Sequence, residues 1–290
     1  MEVSVARRLS SNYLSGMFEH PFIRLAIYAV GIYIFLNVYA ALISDRLLFR
    51  PMESGYDHLP NEVRIPVGEG ESLAAVWMPN PETQYTLLFS HGNGEDLSRV
   101  YPFLVEYYKD RFSVLAYDYR GYGTSDGKPT YKNSKEDVEA AYRWLTEVQG
   151  VEPSNIIAIG RSLGGALAVH TAANHPVGGL ICECSFASAF RVKTHIQLLP
   201  WDKFNSEKWI QTVNCPVLIV HGKEDRVIPF SHGLKLYHAA PEPKQHLWIE
   251  GARHMDYAYV AEELYLKSID EFVQTLDKRR NEQRNVRKRP

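Results

Sequence analysis

The 290-residue sequence holds only three cysteines, Cys182, Cys184 and Cys215. The number is odd, none stands in a CxxC pair, and no Cys/His cluster has zinc-site spacing. A disulfide scaffold and a structural metal are thereby excluded as the basis of the fold. Cys182 and Cys184 lie in an apolar run and read as small buried hydrophobes. An excess of positive charge is also missing: 32 Lys and Arg stand against 34 Asp and Glu, a formal net charge of −2. That argues against a nucleic-acid partner for the body of the chain. Neither GxGxxG nor GxxxxGK[ST] occurs, which excludes a dinucleotide fingerprint and a Walker loop. There is no internal repeat and no sign of a second catalytic domain. With 45% hydrophobic and 23% charged residues, a chain of this length buries an adequate core without staples.

Long hydrophobic runs are absent except for one. "LAIYAVGIYIFLNVYAALI" covers Leu25–Ile43, nineteen residues without a charge. At about 1.5 Å per residue it just crosses a hydrocarbon core of about 30 Å. The sequence therefore divides into an N-terminal segment (1–21), a transmembrane anchor (22–44) and a globular region (45–277). A cleaved signal peptide is the alternative: Arg7 and Arg8 precede the run, and "VYA" at 38–40 resembles a cleavage site. The length of the run and the amphipathic "RLLFRP" that follows (46–51) favour a retained, single-pass anchor contacting the bilayer. Flanking charge nearly balances, Arg7, Arg8 and Arg24 against Arg46 and Arg50. The thiols and a basic tail, "KRRNEQRNVRKRP" (278–290), turn the expectation towards a cytoplasmic catalytic domain. The tail itself reads as disordered and solvated.

From about residue 60 apolar runs alternate with helical patterns. Strand candidates are 62–67, 73–78, 85–91, 112–118, 155–160, 178–184, 215–222 and 245–250, with helices near 94–109, 132–149, 162–174, 230–240 and 257–277. Continuously apolar strands alternating with helices predict an α/β fold, a mostly parallel sheet covered on both faces. The segment 186–210 fits poorly and is rich in Phe and Trp, as a lid or binding loop would be.

Within this pattern "NIIAIGRSLGGALAV" places Ser162 between a strand and a small-residue helix. A serine on so sharp a turn projects its hydroxyl into a cleft. Gly160 and Gly164 fit because a Cβ at either would clash across the turn. A nucleophile needs a base, and the base an orienting acid. Asp225 follows one buried strand ("LIVHGKEDRVIP") and His254 follows the next ("HLWIEGARHMD"), in the order Ser, acid, His. Glu224 is the neighbouring alternative acid; His221 ends a strand and reads as a packing residue. The oxyanion hole is assigned to the backbone N–H groups of Leu163 and, in the Gly-rich turn His91–Gly94, of Asn93.

These motifs together (HGNG at 91–94, "YDYRGYGTSDGKP" at 117–129, GRSLGG at 160–165, "ECSFAS" at 183–188, "HGKEDRVIP" at 221–229, "GARH" at 251–254) resemble the α/β-hydrolase-fold serine hydrolases, in the branch with an N-terminal membrane anchor. The resemblance spans roughly residues 45–275. It implies the α/β-hydrolase fold, an eight-stranded sheet with a short helical cap after the sixth strand, here about 186–210. It implies Ser162 as nucleophile, Asp225 as acid and His254 as base, with no metal and no cofactor. The "DYRGYG" loop borders the site in a structural role. Phe186, Phe190 and Trp201 are the substrate-contacting candidates of the cap, their alternative being the cap's own packing. The expected reaction is acyl transfer from an ester or thioester of a lipid or acylated protein. A serine peptidase or amidase of the same fold, and a membrane-tethered binding protein without activity, are the alternatives. The intact Ser, Asp and His speak against the last.

Overall fold

A computed structural model describes residues 21–287, apart from residue 69 and residues 195–197. The expected N-terminal segment, with Arg7 and Arg8, lies outside the described residues save for Pro21. The chain divides into two compact units, one ending at Leu47 and one beginning at Leu48.

The first unit is described by one helix, α1 (Pro21–Leu48). Pro21 opens it, where a missing N–H costs nothing. Its most apolar eighteen-residue stretch has a mean hydropathy of 2.0 and none of it is buried. Apolar side chains point outward all round, among them Phe22, Leu25, Ile32, Phe35 and Leu42. The Asn37 amide nitrogen donates within the helix to the Tyr33 carbonyl at 2.8 Å. One helix is thus long and apolar enough to span a membrane.

The second unit is built on eight strands: β1 (Glu62–Gly68), β2 (Glu71–Met78), β3 (Thr86–Ser90), β4 (Ser113–Tyr117), β5 (Ile156–Arg161), β6 (Gly179–Glu183), β7 (Val217–Gly222) and β8 (Lys244–Ile249). They form one sheet in the order β1-β2-β4-β3-β5-β6-β7-β8. β2 runs antiparallel to both neighbours, and β3 to β8 are parallel. The long helices are α2 (Leu97–Tyr107), α3 (Tyr131–Arg143), α4 (Leu163–Asn174), then, after two short ones, α7 (Ser231–Ala239) and α9 (Glu262–Arg287).

Period-two alternation explains the unbroken apolar strands. Leu87 and Phe89 of β3 pack with α2 and α9 residues such as Leu104, Tyr265 and Phe272. Leu88 packs on the other face with Val138 and Leu145 and with Leu167 of α4. Both faces of the sheet are covered, so alternate residues are apolar on both.

Among its described residues the cap region holds two four-residue helices, α5 (Arg191–Thr194) and α6 (Ser206–Trp209). One expectation needs amendment. The basic tail is helical through Arg287, with only 288–290 outside the described residues. A helix already nucleated by the buried stripe Tyr265, Ile269, Phe272 and Leu276 extends at little cost. Arg279 then bonds the Asn214 carbonyl and Arg280 the Asn155 side chain, both at 2.7 Å.

Candidate active site

β5 ends at Arg161 and α4 starts at Leu163, which leaves Ser162 on the corner with φ 56° and ψ −115°. Positive φ strains a residue with a Cβ and persists only where the surroundings over-determine it. Here three bonds do so. Ser162 N–H donates to the Glu183 carbonyl at 2.9 Å, and the Ser162 carbonyl accepts from Gly165 N–H at 3.1 Å and from Ser185 Oγ at 2.9 Å. Gly160 acts across the turn as the spacing suggests, whereas Gly164 is required by the close pass of β3. A Cβ at Gly160 would lie 2.1 Å from the Gly164 carbonyl oxygen, and one at Gly164 1.9 Å from that of Ser90.

The turn after β3 passes over this corner. A Cβ on Gly92 would sit 3.6 Å from Ser162 Cβ, so the backbone of the His91–Gly94 turn runs beside the serine. Glu95 locks the turn to β5: one carboxylate oxygen accepts Gly92 N–H and the other the Arg161 guanidinium, each at 2.8 Å. Sequence reasoning missed this clamp because its halves lie 66 residues apart. Leu163, as the first residue of α4, has no intrahelical acceptor for its N–H. The Asn93 side chain has three partners. Its Oδ1 accepts Arg50 N–H at 2.9 Å and the Tyr122 hydroxyl at 2.6 Å, and its Nδ2 donates to the Leu48 carbonyl at 2.6 Å.

On the other side of the site the loops after β7 and β8 bring Asp225 and His254 together, with His254 Nδ1 donating to Asp225 Oδ2 at 2.7 Å. The loops are pinned by Lys223 N–H to the Ile249 carbonyl (2.9 Å) and Glu224 N–H to that of Ala252 (3.0 Å). Asp225 Oδ1 takes the N–H groups of Val227 and Ile228, both at 2.8 Å. His221 Nε2 donates to the Ile228 carbonyl at 3.0 Å and faces Asp225 Oδ2 at 3.4 Å. Burial acts to raise the Asp225 carboxyl, but the His221 and His254 hydrogen bonds outweigh it and hold the acid well below the usual carboxylate range. Glu224 points to solvent. His221 is fully buried, as its strand-end position suggests.

The two halves meet at the end of β6. Glu183, whose carbonyl holds Ser162, buries its carboxylate among the hydroxyls of Tyr257 (2.6 Å), Tyr108 (3.2 Å) and Tyr265. Tyr257 lies three residues after His254. Burial pushes the Glu183 carboxyl up, and the tyrosine hydroxyls and Arg161 pull against it. Cys184, at φ 45°, follows. A donor atom from each of Cys184, Asp225 and His254 falls within one 4.8 Å cluster. The imidazole and carboxylate are already committed to each other, and burial pushes the Cys184 thiol up, so the arrangement serves proton handling before ligation.

The cap candidates separate into two groups. Phe186 is buried and packs edge-on against Phe204, which also meets Phe49, Tyr131 and Trp209. Phe190 and Trp201 form a half-exposed edge-on pair with centroids 5.2 Å apart. The "DYRGYG" loop is a scaffold. Asp118 bonds Tyr56 and Leu97 N–H, and Arg120 is held by Glu71, Glu136 and Asp137.

Comparison with known proteins agrees with this geometry. Residues 85–196 match the family described as α/β hydrolase fold. The alpha/beta hydrolase domain-containing protein 17B of Homo sapiens is 38% identical over 213 residues, 71% of this chain and 72% of that protein. The corresponding protein 17C of Xenopus laevis is 40% identical over 201 residues, 67% of this chain but 63% of that protein. Among solved structures, an esterase from Pyrococcus furiosus superposes with a TM-score of 0.63 at 20% identity, covering 78% of this chain and 98% of its own. An enzyme from Butyrivibrio proteoclasticus with bound ferulic acid gives 0.59 at 21% identity, covering 74% and 99%. These two show likeness of fold. The sequence likeness, over most of both chains, makes the protein a member of the α/β-hydrolase family, of the alpha/beta hydrolase domain-containing kind, and a hydrolase.

Proposed function

We propose that the chain is a membrane-anchored serine hydrolase that cleaves carboxylic ester or thioester bonds of lipids or acylated proteins. The observation that carries this reading is the Asp225–His254 hydrogen bond, and Ser162, held at positive φ between β5 and α4, supports it. Asp225, saturated by its donors, fixes the imidazole with its proton on Nδ1. Nε2 is then the base that takes the Ser162 proton as Oγ attacks the acyl carbonyl. The oxyanion is stabilised by the N–H groups of Leu163 and Asn93, each worth about 3 kcal/mol in a site of this type. His254 returns the proton to the leaving alcohol or thiol. Water then hydrolyses the acyl-enzyme by the same route.

The half-exposed Phe190–Trp201 pair supports an apolar acyl group, and α1 supports anchorage in the bilayer that holds such substrates. A cytoplasmic site for the second unit remains part of the proposal. The chemistry assigned to Ser162, Asp225 and His254 uses neither metal nor cofactor. The test is fluorophosphonate labelling of membranes carrying the wild type or Ser162→Ala, followed by p-nitrophenyl esters from acetyl to palmitoyl. Labelling and turnover in the wild type alone is the expected result. Equal labelling of the Ser162→Ala protein would overturn the assignment.

A further inference from the structure

The Asn93 side chain is spent on a task the oxyanion role does not require. Its carbonyl oxygen takes the Arg50 amide and its amide nitrogen grips the Leu48 carbonyl, two backbone groups 43 and 45 residues earlier in the chain. Tyr122 closes the arrangement. Its hydroxyl donates to Asn93 Oδ1 and lies 3.0 Å from the Arg50 nitrogen, and its ring packs against His91, the first residue of the turn, with centroids 5.6 Å apart. Between the two gripped groups Phe49 is buried against Phe204. Leu48–Arg50 is therefore a strip tied to the oxyanion turn through two backbone groups, the Leu48 carbonyl and the Arg50 N–H.

The start of the turn is held at His91, whose carbonyl accepts the Tyr119 hydroxyl and whose Nε2 lies 3.2 Å from Asp118 Oδ1. Gly92 and Gly94 flank Asn93, Gly94 at φ 76°, and glycine-flanked peptides are the freest in a chain. The Glu95–Arg161 clamp fixes Gly92 N–H from one side. The next peptide is held at its carbonyl end, where the Gly92 oxygen accepts the Glu95 N–H at 3.4 Å and lies 2.8 Å from His91 Nδ1, and at its Asn93 end by the Asn93 side chain.

We infer that Leu48–Arg50, the first three residues of the hydrolase unit, is a working part of the active site, with Asn93 as the positioning residue that holds its own N–H on the oxyanion. This rests on the reading of that N–H as an oxyanion donor. The strip continues directly from α1. The peptide that leaves the apolar helix thus sets the geometry of the catalytic turn, and hydrolysis depends on how that peptide is held.

The test uses the full chain in detergent micelles with p-nitrophenyl butyrate. Asn93→Ala keeps the backbone N–H and removes all three side-chain bonds. Because a misplacement of about 1 Å costs on the order of 10²-fold, kcat is expected to fall about 10- to 100-fold with KM changed less than about threefold. Asn93→Asp keeps the acceptor for Arg50 and Tyr122 but loses the grip on Leu48, and is expected to fall between. Arg50→Pro deletes the amide hydrogen together with the exposed Arg50 side chain, at a position already biased to extended backbone by Pro51, and is expected to lower kcat several-fold, with Arg50→Ala, which keeps the amide hydrogen, as its control. A folded Asn93→Ala protein with kcat within about twofold of wild type, or a rise in KM alone, overturns the inference. Should Asn93→Ala not fold, Arg50→Pro and Tyr122→Phe decide it, and wild-type kcat in both overturns it. Ser162→Ala separates the two levels. Labelling that survives this substitution removes the serine reading and the inference with it. Labelling that is lost there while Asn93→Ala works normally removes the inference alone.

Discussion

Glu183 and Asp225 are buried carboxylates at the carboxyl ends of adjacent parallel strands, and their surroundings drive them in opposite directions. Around Glu183 the donors are neutral tyrosine hydroxyls, and full burial wins, so the acid is pushed up. Around Asp225 burial is outweighed by two imidazoles and two backbone amides, and the acid is pulled down. Donor type explains the contrast, since a hydroxyl compensates lost hydration less than an imidazole that can carry positive charge. A protonatable Glu183 knits Tyr108, Tyr257 and Tyr265 beneath the serine. An ionised Asp225 holds the His254 imidazole. Similar side chains at the ends of adjacent strands thus sit in opposite electrostatic settings.

The sharpest way to break the comparison is Asp225→Asn. It keeps the shape but reverses the hydrogen-bond polarity towards His254, and kcat on soluble p-nitrophenyl esters should fall by about 10⁴-fold, as when a triad loses its tautomer control. A fall of less than about tenfold would move the acid's role elsewhere.

Glu183→Gln should act on the fold instead. Disturbing a buried three-hydroxyl cluster costs about 1–3 kcal/mol, or roughly 3–10 °C in Tm for a unit of this size. Thermal denaturation reads this, and a large loss of kcat at unchanged Tm would contradict it.

The pH dependence of Tm sharpens the contrast. Asp225, lowered from its ordinary 3.8, stabilises the fold above that value, and its contribution is lost as pH falls from there towards its folded pKa. Glu183, raised from its ordinary 4.5, has the opposite sign: stability it supplies at low pH is lost as pH rises above that value towards its folded pKa. Asp225→Asn should therefore flatten the acid limb of a Tm profile below about pH 4, and Glu183→Gln the decline above about pH 4.5. Parallel changes in both variants would refute the assignment.

Tyr257→Phe, removing one of the three hydroxyls, should lower stability by about 1 kcal/mol. Glu224→Gln should change neither kcat nor Tm by a measurable amount, since its side chain points to solvent. A strong loss of kcat there would replace Asp225 with Glu224 as the acid.

Much of this was legible before any coordinates. The inner strands stand out because each is short, apolar on both faces and closed by turn residues, while the edge strands β1 and β8 are half-buried and read more weakly. Ser162 stands out because it follows a strand, opens a small-residue helix and has a glycine two residues to either side; Gly160 answers to a contact within that unit, Gly164 to the distant Ser90. The chain order of Ser162, Asp225 and His254 narrowed eleven histidines to one. The Phe-rich segment 186–210 was legible only as an exception, since irregular chain has no period to read. The basic end of α9 misled, because composition suggested a solvated tail while bonds from Arg279 and Arg280 to distant partners carry the helix onward.

The sequence by itself determined the sheet, the nucleophile corner and one long apolar helix, because each depends on residues close together in the chain. Tertiary structure alone decided that Asp225 and not Glu224 meets His254, that Glu183 sits among three tyrosines 74, 75 and 82 residues away, and that Asn93 grips Leu48 and Arg50. The physical reason is direction: a hydrogen bond forms only when donor and acceptor are aimed at each other within about 3 Å, and for groups so far apart in the chain that aim exists only once the sheet has assembled.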